Sequence, residues 1–108
     1  MAHVVLDNCI NCKYTYCAEV CPVEAFHEGP NFLVIDPEAC IDCMLCVPAC
    51  ITGSIMEERD VPHSQRSMVR ANAMLSQQWP SIIERKPAFP DAEEWDKVPG
   101  KRRFLEMW

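Results

Sequence analysis

The sequence predicts a small α+β fold with a two-fold internal repeat, and three observations lead there. All eight cysteines of the 108-residue chain fall between Cys9 and Cys50. The segments around them repeat. Asp7-Asn8-Cys9-Ile10-Asn11-Cys12 resembles Glu38-Ala39-Cys40-Ile41-Asp42-Cys43, and Cys17-Ala18-Glu19-Val20-Cys21 matches Cys46-Val47-Pro48-Ala49-Cys50. A short apolar run rich in β-branched residues precedes each unit: Val4-Val5-Leu6 and Leu33-Val34-Ile35. Each half therefore reads as strand, cysteine loop, short helix, strand.

The helices are expected to start near Cys17 and Cys46 and to run for a couple of turns. Ala25-Phe26 and Ser54-Ile55-Met56 are the closing apolar runs. His27-Glu28-Gly29-Pro30-Asn31 reads as the turn between the halves. These elements make a body over residues 1–58. Residues 59–108 hold five of the nine prolines and no cysteine, and look too poor in core to fold alone. They are expected to pack on the body as an extension, giving a single domain. Within them, Val61 to Trp79 is the one good helical window. Met68, Ala71, Leu75 and Trp79 recur at three- and four-residue steps. Asp60 can cap the start, Pro62 suits the first turn, and Pro80 stops the helix. From Ser81 onward irregular chain is expected, with a helical turn near Asp91–Trp95. Trp79, Trp95 and Trp108 are candidate anchors.

Composition narrows the class. Val, Ile, Leu and Phe total 25 residues, a thin core for this length that invites staples. No apolar run approaches a membrane span. The start, MAHVVLDNC, shows no signal peptide, which points to a reducing cytoplasm. There cysteines bind metal rather than pair. Net charge is −6, divided unevenly. Residues 1–60 carry two basic and ten acidic residues; residues 61–108 carry eight and six. An acidic body repels nucleic acid and anionic membrane. It favours a basic protein partner by steering, unless the charge serves solubility alone.

The cysteine spacing carries the chemistry. The second run is Cys40-x2-Cys43-x2-Cys46-x3-Cys50, and the first is Cys9-x2-Cys12-x4-Cys17-x3-Cys21-Pro22. Cysteines every third residue in a tight loop point three thiolates into one hollow. Iron–sulfur clusters want one soft thiolate per iron corner. Backbone N–H groups of such a loop aim at the sulfides. The fourth cysteine, three residues on, faces away and serves the other cluster in two-cluster proteins. Two zinc sites would also use eight cysteines, but zinc ribbons separate paired C-x2-C knuckles. A disulfide scaffold conflicts with the expected compartment. His3, His27 and His63 match no metal spacing and read as surface residues. Met44 reads as bulk shielding the second loop. Tyr14, Val20, Phe26, Val34, Ile41 and Ile55 are candidates for an apolar shell.

Together these runs resemble the bacterial dicluster ferredoxins. The widened first run and the long tail are similar to the seven-iron ferredoxins of the Azotobacter type. Further similar stretches are Glu28-Gly29-Pro30-Asn31-Phe32-Leu33-Val34-Ile35, Trp79-Pro80 and Pro90-Asp91-Ala92-Glu93-Glu94-Trp95-Asp96. The resemblance implies a ferredoxin-like fold with one [3Fe–4S] and one [4Fe–4S] cluster. It implies Cys9, Cys17 and Cys50 as ligands of the three-iron cluster. It implies Cys21, Cys40, Cys43 and Cys46 as ligands of the four-iron cluster. Cys12 would be spare, or the fourth ligand of the first cluster in a two-[4Fe–4S] protein. Three positions depart from the pattern: Ile51 where proline is usual, Ala25 where some relatives have a further cysteine, and Tyr16 where aspartate is frequent.

The expected function is a cytoplasmic, monomeric one-electron carrier rather than an enzyme, since no nucleophile–base arrangement is visible. It would dock transiently on a basic-faced ferredoxin reductase and on an electron-accepting redox enzyme. A redox or iron sensor working by cluster conversion is the alternative of another class. A cluster module of a larger complex is a third.

Overall fold

The structure, a computed structural model, describes residues 3–41, 45–50, 52–84, 86, 88–98 and 101–105. Four short strands form two antiparallel ribbons: β1 (His3–Val5), β2 (Phe26–Glu28), β3 (Leu33–Ile35) and β4 (Ile55–Glu57). β1 pairs with β4, placing Val4 opposite Met56. β2 pairs with β3, placing His27 opposite Val34. The outer strands of the two halves thus pair with each other, as do the inner strands. That is the pattern a two-fold repeat produces, and the α+β class and ferredoxin-like arrangement read from the sequence hold.

The helices α1 (Tyr16–Val20) and α2 (Cys46–Ala49) pack against one another. Each is about a single turn, shorter than expected. Cys21 sits before Pro22, which disfavours helical backbone at the preceding residue, and its ψ of 120° is extended. Pro48 removes an N–H donor from α2.

Two-stranded ribbons are marginal alone. Their cover comes from α3 (Arg66–Ser76), which lies across β1, β2 and β3. Met68 and Leu75 are buried on its inner face, as expected. Asn72 is buried between them. Its Oδ1 accepts the backbone N–H groups of both Val5 and Ile35, each at 3.0 Å. Its Nδ2 donates to the carbonyls of Val5 (2.9 Å) and Met68 (2.8 Å). One side chain therefore ties β1 of the first half to β3 of the second.

This helix is shorter than the window Val61–Trp79. Asp60 ends a 3-10 turn over Glu58–Asp60 and does not cap α3. Pro62, extended at ψ 153°, leads a second 3-10 turn over His63–Gln65, and Gln65 is the N-cap. Trp79 lies beyond the helix, and its indole sits on Gly29 and meets Phe32 edge-on at 6.5 Å. A Cβ on Gly29 would stand 2.4 Å from that ring, so only glycine fits.

The chain after Pro80 is more ordered than expected at its start. Ser81 bridges His27, the Ile82 N–H donates to the Phe26 carbonyl at 3.0 Å, and the Pro80 carbonyl accepts from Glu28 at 2.8 Å. The segment thus adds a short edge to β2. α4 (Ala92–Trp95) falls where the helical turn was expected, and a 3-10 turn follows over Lys101–Phe104. Trp95 packs on Phe104 with centroids 5.1 Å apart. Trp108 lies outside the described residues. Among the described residues no helix is long and apolar enough to cross a membrane.

Replacing Asn72 by alanine strands two buried N–H groups and a buried carbonyl. At roughly 1–3 kcal/mol for each unpaired buried group, the loss should exceed about 3 kcal/mol. Urea unfolding of Asn72→Ala checks this, and a loss below about 1 kcal/mol would show the tie to be incidental.

Candidate metal centre

The first cysteine loop begins at a 3-10 turn, Asp7–Cys9. Asn11 (φ 66°) and Lys13 (φ 46°) then adopt left-handed backbone on either side of Cys12. Such residues cost about 1–2 kcal/mol each, so something must hold them. Asn11 is held by Asn31 through a backbone bond and a side-chain bond, both 2.9 Å. The buried ammonium of Lys13 donates to Glu28 (3.0 Å) and to the Gly29 carbonyl (3.2 Å), and lies over the Phe89 ring at 5.3 Å.

Cys12 is fully buried against the tail. Its sulfur donates to the Ala92 carbonyl at 3.2 Å, while the Lys101 ammonium approaches it at 3.4 Å. Lys101 is itself wholly buried, and its other bonds go to the carbonyls of Asn8 (2.5 Å) and Trp95 (2.9 Å). Burial pushes the Cys12 thiol up, and Lys101 pulls against that shift.

Cys9, Cys17 and Cys50 form a different group. Burial pushes the Cys9 thiol up to about 12; the N–H of Leu33 pulls it down, and the sulfurs of Cys50 and Cys12 push it further up. Burial raises Cys17 strongly, and Cys9, Cys50 and Cys46 push the same way. Cys9 and Cys17 thus lie within electrostatic reach of each other and of Cys50, Cys9 also of Cys12 and Cys17 also of Cys46. Thiols raised so far are protonated near neutrality, so binding a cationic iron group displaces their protons.

Three further cysteines share a hollow. Cys21, Cys40 and Cys46 line one hollow of about 310 Å³, part of it open to solvent, together with His3, Val23, Ala25, Phe26, Ile35 and Ile41. Cys43, Met44 and Ile51 lie outside the described residues.

The donor set, cysteine thiols in both groups, is of the soft type that iron–sulfur clusters take. None of the seven described cysteines forms a disulfide. Among the described residues, no three His, Cys, Asp or Glu side chains converge tightly enough for one metal ion. Four thiolates on one zinc stand about 3.8 Å apart. Thiolates on the separate irons of a cluster stand farther apart and need a larger hollow between them. Each turn after a fourth cysteine also supplies an N–H: Ala25 to the Cys21 sulfur at 3.5 Å, and Ser54 to the Cys50 sulfur at 3.2 Å.

Several expectations about the surroundings need correction. His3 is buried in β1, pairs opposite Glu57 and lines the hollow, so it is no surface residue. His27 is half-buried, with Nδ1 bonded to the Trp79 carbonyl at 2.8 Å; His63 is exposed. Phe26, Val34 and Ile55 are buried as expected, and Tyr14 is half-buried. Val20 and Ile41 are instead exposed, at 38% and 59%. Val20 ends α1 beside Cys21, and Ile41 follows Cys40. Lys101, Thr52 and Ser54 escaped the sequence reading. A residue-by-residue match of the two halves would have singled out Thr52 and Ser54 beside Val23 and Ala25.

Comparison with known proteins is informative along most of the chain. Residues 32–55 match the family model described as a 4Fe-4S binding domain. Residues 66–107 match a domain of unknown function, DUF3470. A protein of Rickettsia felis named "Ferredoxin" is 44% identical over 102 residues, spanning 94% of this chain and 92% of the relative. "Ferredoxin-1" of Caulobacter vibrioides is 38% identical over 101 residues, spanning 94% of this chain and 88% of the relative.

The loop geometry yields a pH prediction. Glu28 pairs with Lys13 (3.0 Å) and Lys86 (2.7 Å). Burial pushes its carboxyl up, but the hydrogen bonds and charges of the two lysines together outweigh burial and hold it below the ordinary 4.5. A lowered folded pKa contributes stability that is present above 4.5 and is lost as pH falls through the lowered value. Glu28→Gln should therefore destabilise the protein at neutral pH, with the difference shrinking below 4.5. Urea midpoints of the two proteins across that range check it. A difference independent of pH would show that the pairing is not ionic.

Proposed function

The chain belongs to the ferredoxin family, iron–sulfur electron carriers, and from that premise we propose that it is a seven-iron, one-electron carrier. In this reading Cys9, Cys17 and Cys50 hold a [3Fe–4S] cluster, and Cys21, Cys40, Cys43 and Cys46 hold a [4Fe–4S] cluster. When bound, each cluster supplies one reversible one-electron reduction. The protein's own part is to present thiolates, donate N–H groups to them and keep the sulfurs dry.

The observation that carries the reading is the position of Cys12. Its sulfur is engaged by Ala92 and Lys101 of the tail, while the thiols of Cys9, Cys17 and Cys50 carry no such tie to the tail among the described residues and lie within electrostatic reach of one another. A cube corner without a thiolate loses its iron, so this arrangement favours three irons in the first site. The four-residue gap Lys13-Tyr14-Thr15-Tyr16 provides the slack that the left-handed turn at Lys13 uses.

The route of the electron follows from α1 and α2. Cys17 lies in the first turn of α1 and Cys46 opens α2, and the two thiols are within electrostatic reach of each other. A short path between the two sites therefore runs through the packed helix pair. Outside it, Tyr16, Val20, Ile41 and Leu45 are exposed apolar side chains, with exposed Glu19, Glu24 and Glu38 on the same loops and helices. Such a face suits a transient, basic partner in the cytoplasm, a reductase or an acceptor enzyme.

Iron and sulfide analysis of anaerobically purified protein, with electron paramagnetic resonance, tests this reading. Seven irons per chain and a three-iron resonance in the oxidised state are expected. Eight irons, falling to seven in Cys12→Ala, would instead mean two [4Fe–4S] clusters. Cys21→Ala should damage the four-iron signal first and largely spare the three-iron signal. The reverse order would mean that each cysteine run holds its own cluster. Association with the reductase should slow steeply as salt screens the acidic body. A rate indifferent to salt would reduce that charge to a solubility device.

A further inference from the structure

The two halves differ at one place that electron carrying as described does not use. Cys21 is followed by Pro22, Val23, Glu24 and Ala25; Cys50 is followed by Ile51, Thr52, Gly53 and Ser54. The two turns share two features. Glu24 (φ 55°) and Gly53 (φ 65°) are both left-handed, and the next residue's N–H points at the cysteine sulfur in both. Their side chains are unlike. Val23 and Ala25 carry no polar atom. Thr52 Oγ1 lies 3.6 Å from the Cys50 sulfur, and Ser54 Oγ lies 2.5 Å from Thr52 Oγ1. Both hydroxyls are buried.

The direction of these bonds follows from proton counting. A Cys50 bound to iron is a thiolate and has no proton to give. Thr52 must then donate to it, which uses the single hydrogen of that hydroxyl. Ser54 must in turn donate to Thr52. Cys50 thereby receives two donors, the Ser54 N–H and a threonine hydroxyl polarised by a second hydroxyl. Cys21 receives from its matching turn only the Ala25 N–H, and that at the longer distance.

We propose that Ser54 and Thr52 form a hydroxyl relay that raises the reduction potential of the cluster held by Cys50. Reduction adds negative charge that spreads onto the ligand sulfurs. A hydrogen bond to such a sulfur strengthens as its charge grows, so the relay stabilises the reduced state more than the oxidised state. The repeat thus builds an asymmetry into two otherwise similar sites. Thr52 and Ser54 are positioning residues, acting through Cys50. The inference rests on Cys50 being a ligand of the three-iron cluster.

Potentiometric titration of the cluster-loaded protein, followed by electron paramagnetic resonance, tests it, because both clusters report in one sample. Thr52→Val keeps the shape and deletes the hydroxyl. It should shift the three-iron potential downward and leave the four-iron potential in place, and Thr52→Ser should restore most of the shift. Ser54→Ala should move the same potential in the same direction by less, which keeps the test decisive should Thr52→Val fold poorly. Unchanged potentials in Thr52→Val, or equal downward shifts of both clusters, would overturn the relay. A shift confined to the four-iron cluster would support the relay and overturn instead the assignment of Cys50.

Discussion

The packing of α1 against α2 is the contact on which the rest of the molecule depends. Each helix is about one turn long, carries one cysteine in that turn and is capped by another: Cys17 and Cys21, Cys46 and Cys50. Because the two helices lie together, the cysteine ending one run is carried toward the loop of the other. Cys21 thus shares a hollow with Cys40 and Cys46, and Cys50 lies within electrostatic reach of Cys9 and Cys17. Neither helix could stand alone at this length. They are held by the strands on either side and by the turns that stop them.

Those strands also need help. The ribbons have two strands each, and α3 closes over them with Asn72 bonded to both β1 and β3. The tail beyond α3 does more than cover core. Pro80 to Ile82 extends the β2 edge, Lys86 reaches Glu28, and Lys101 reaches Cys12 from the far end of the chain. Two lysines, Lys13 and Lys101, are buried against carbonyls and a carboxylate near the first loop. Buried ammonium groups persist only when fully partnered, and these hold a left-handed turn and a thiol in place.

What could be read from the sequence was what depends on local spacing. The cysteine runs, the four strands and the helical turn at Ala92–Trp95 follow from neighbours in the chain, because loop chelation and β-branched runs are local properties. The start of α3 was misplaced since Pro62 suits a first helical turn in sequence terms, yet its backbone is extended here. Asn72 escaped because apolar periodicity counts a polar residue as outward-facing, while this one satisfies strands distant in sequence. Lys101 and His3 escaped for the same reason. Ile41 and Val20 were expected inside by their apolar character, yet an apolar residue next to a metal-binding loop can as easily form a contact face.

The account stands on where iron sits relative to eight sulfurs. Diffraction from crystals of the native, anaerobically grown protein, recorded on both sides of the iron absorption edge, locates each iron directly. The account predicts four irons enclosed by Cys21, Cys40, Cys43 and Cys46. It predicts three irons beside Cys9, Cys17 and Cys50, and none bonded to Cys12. An iron on the Cys12 sulfur, or Cys21 bonded to an iron of the first group, would contradict it.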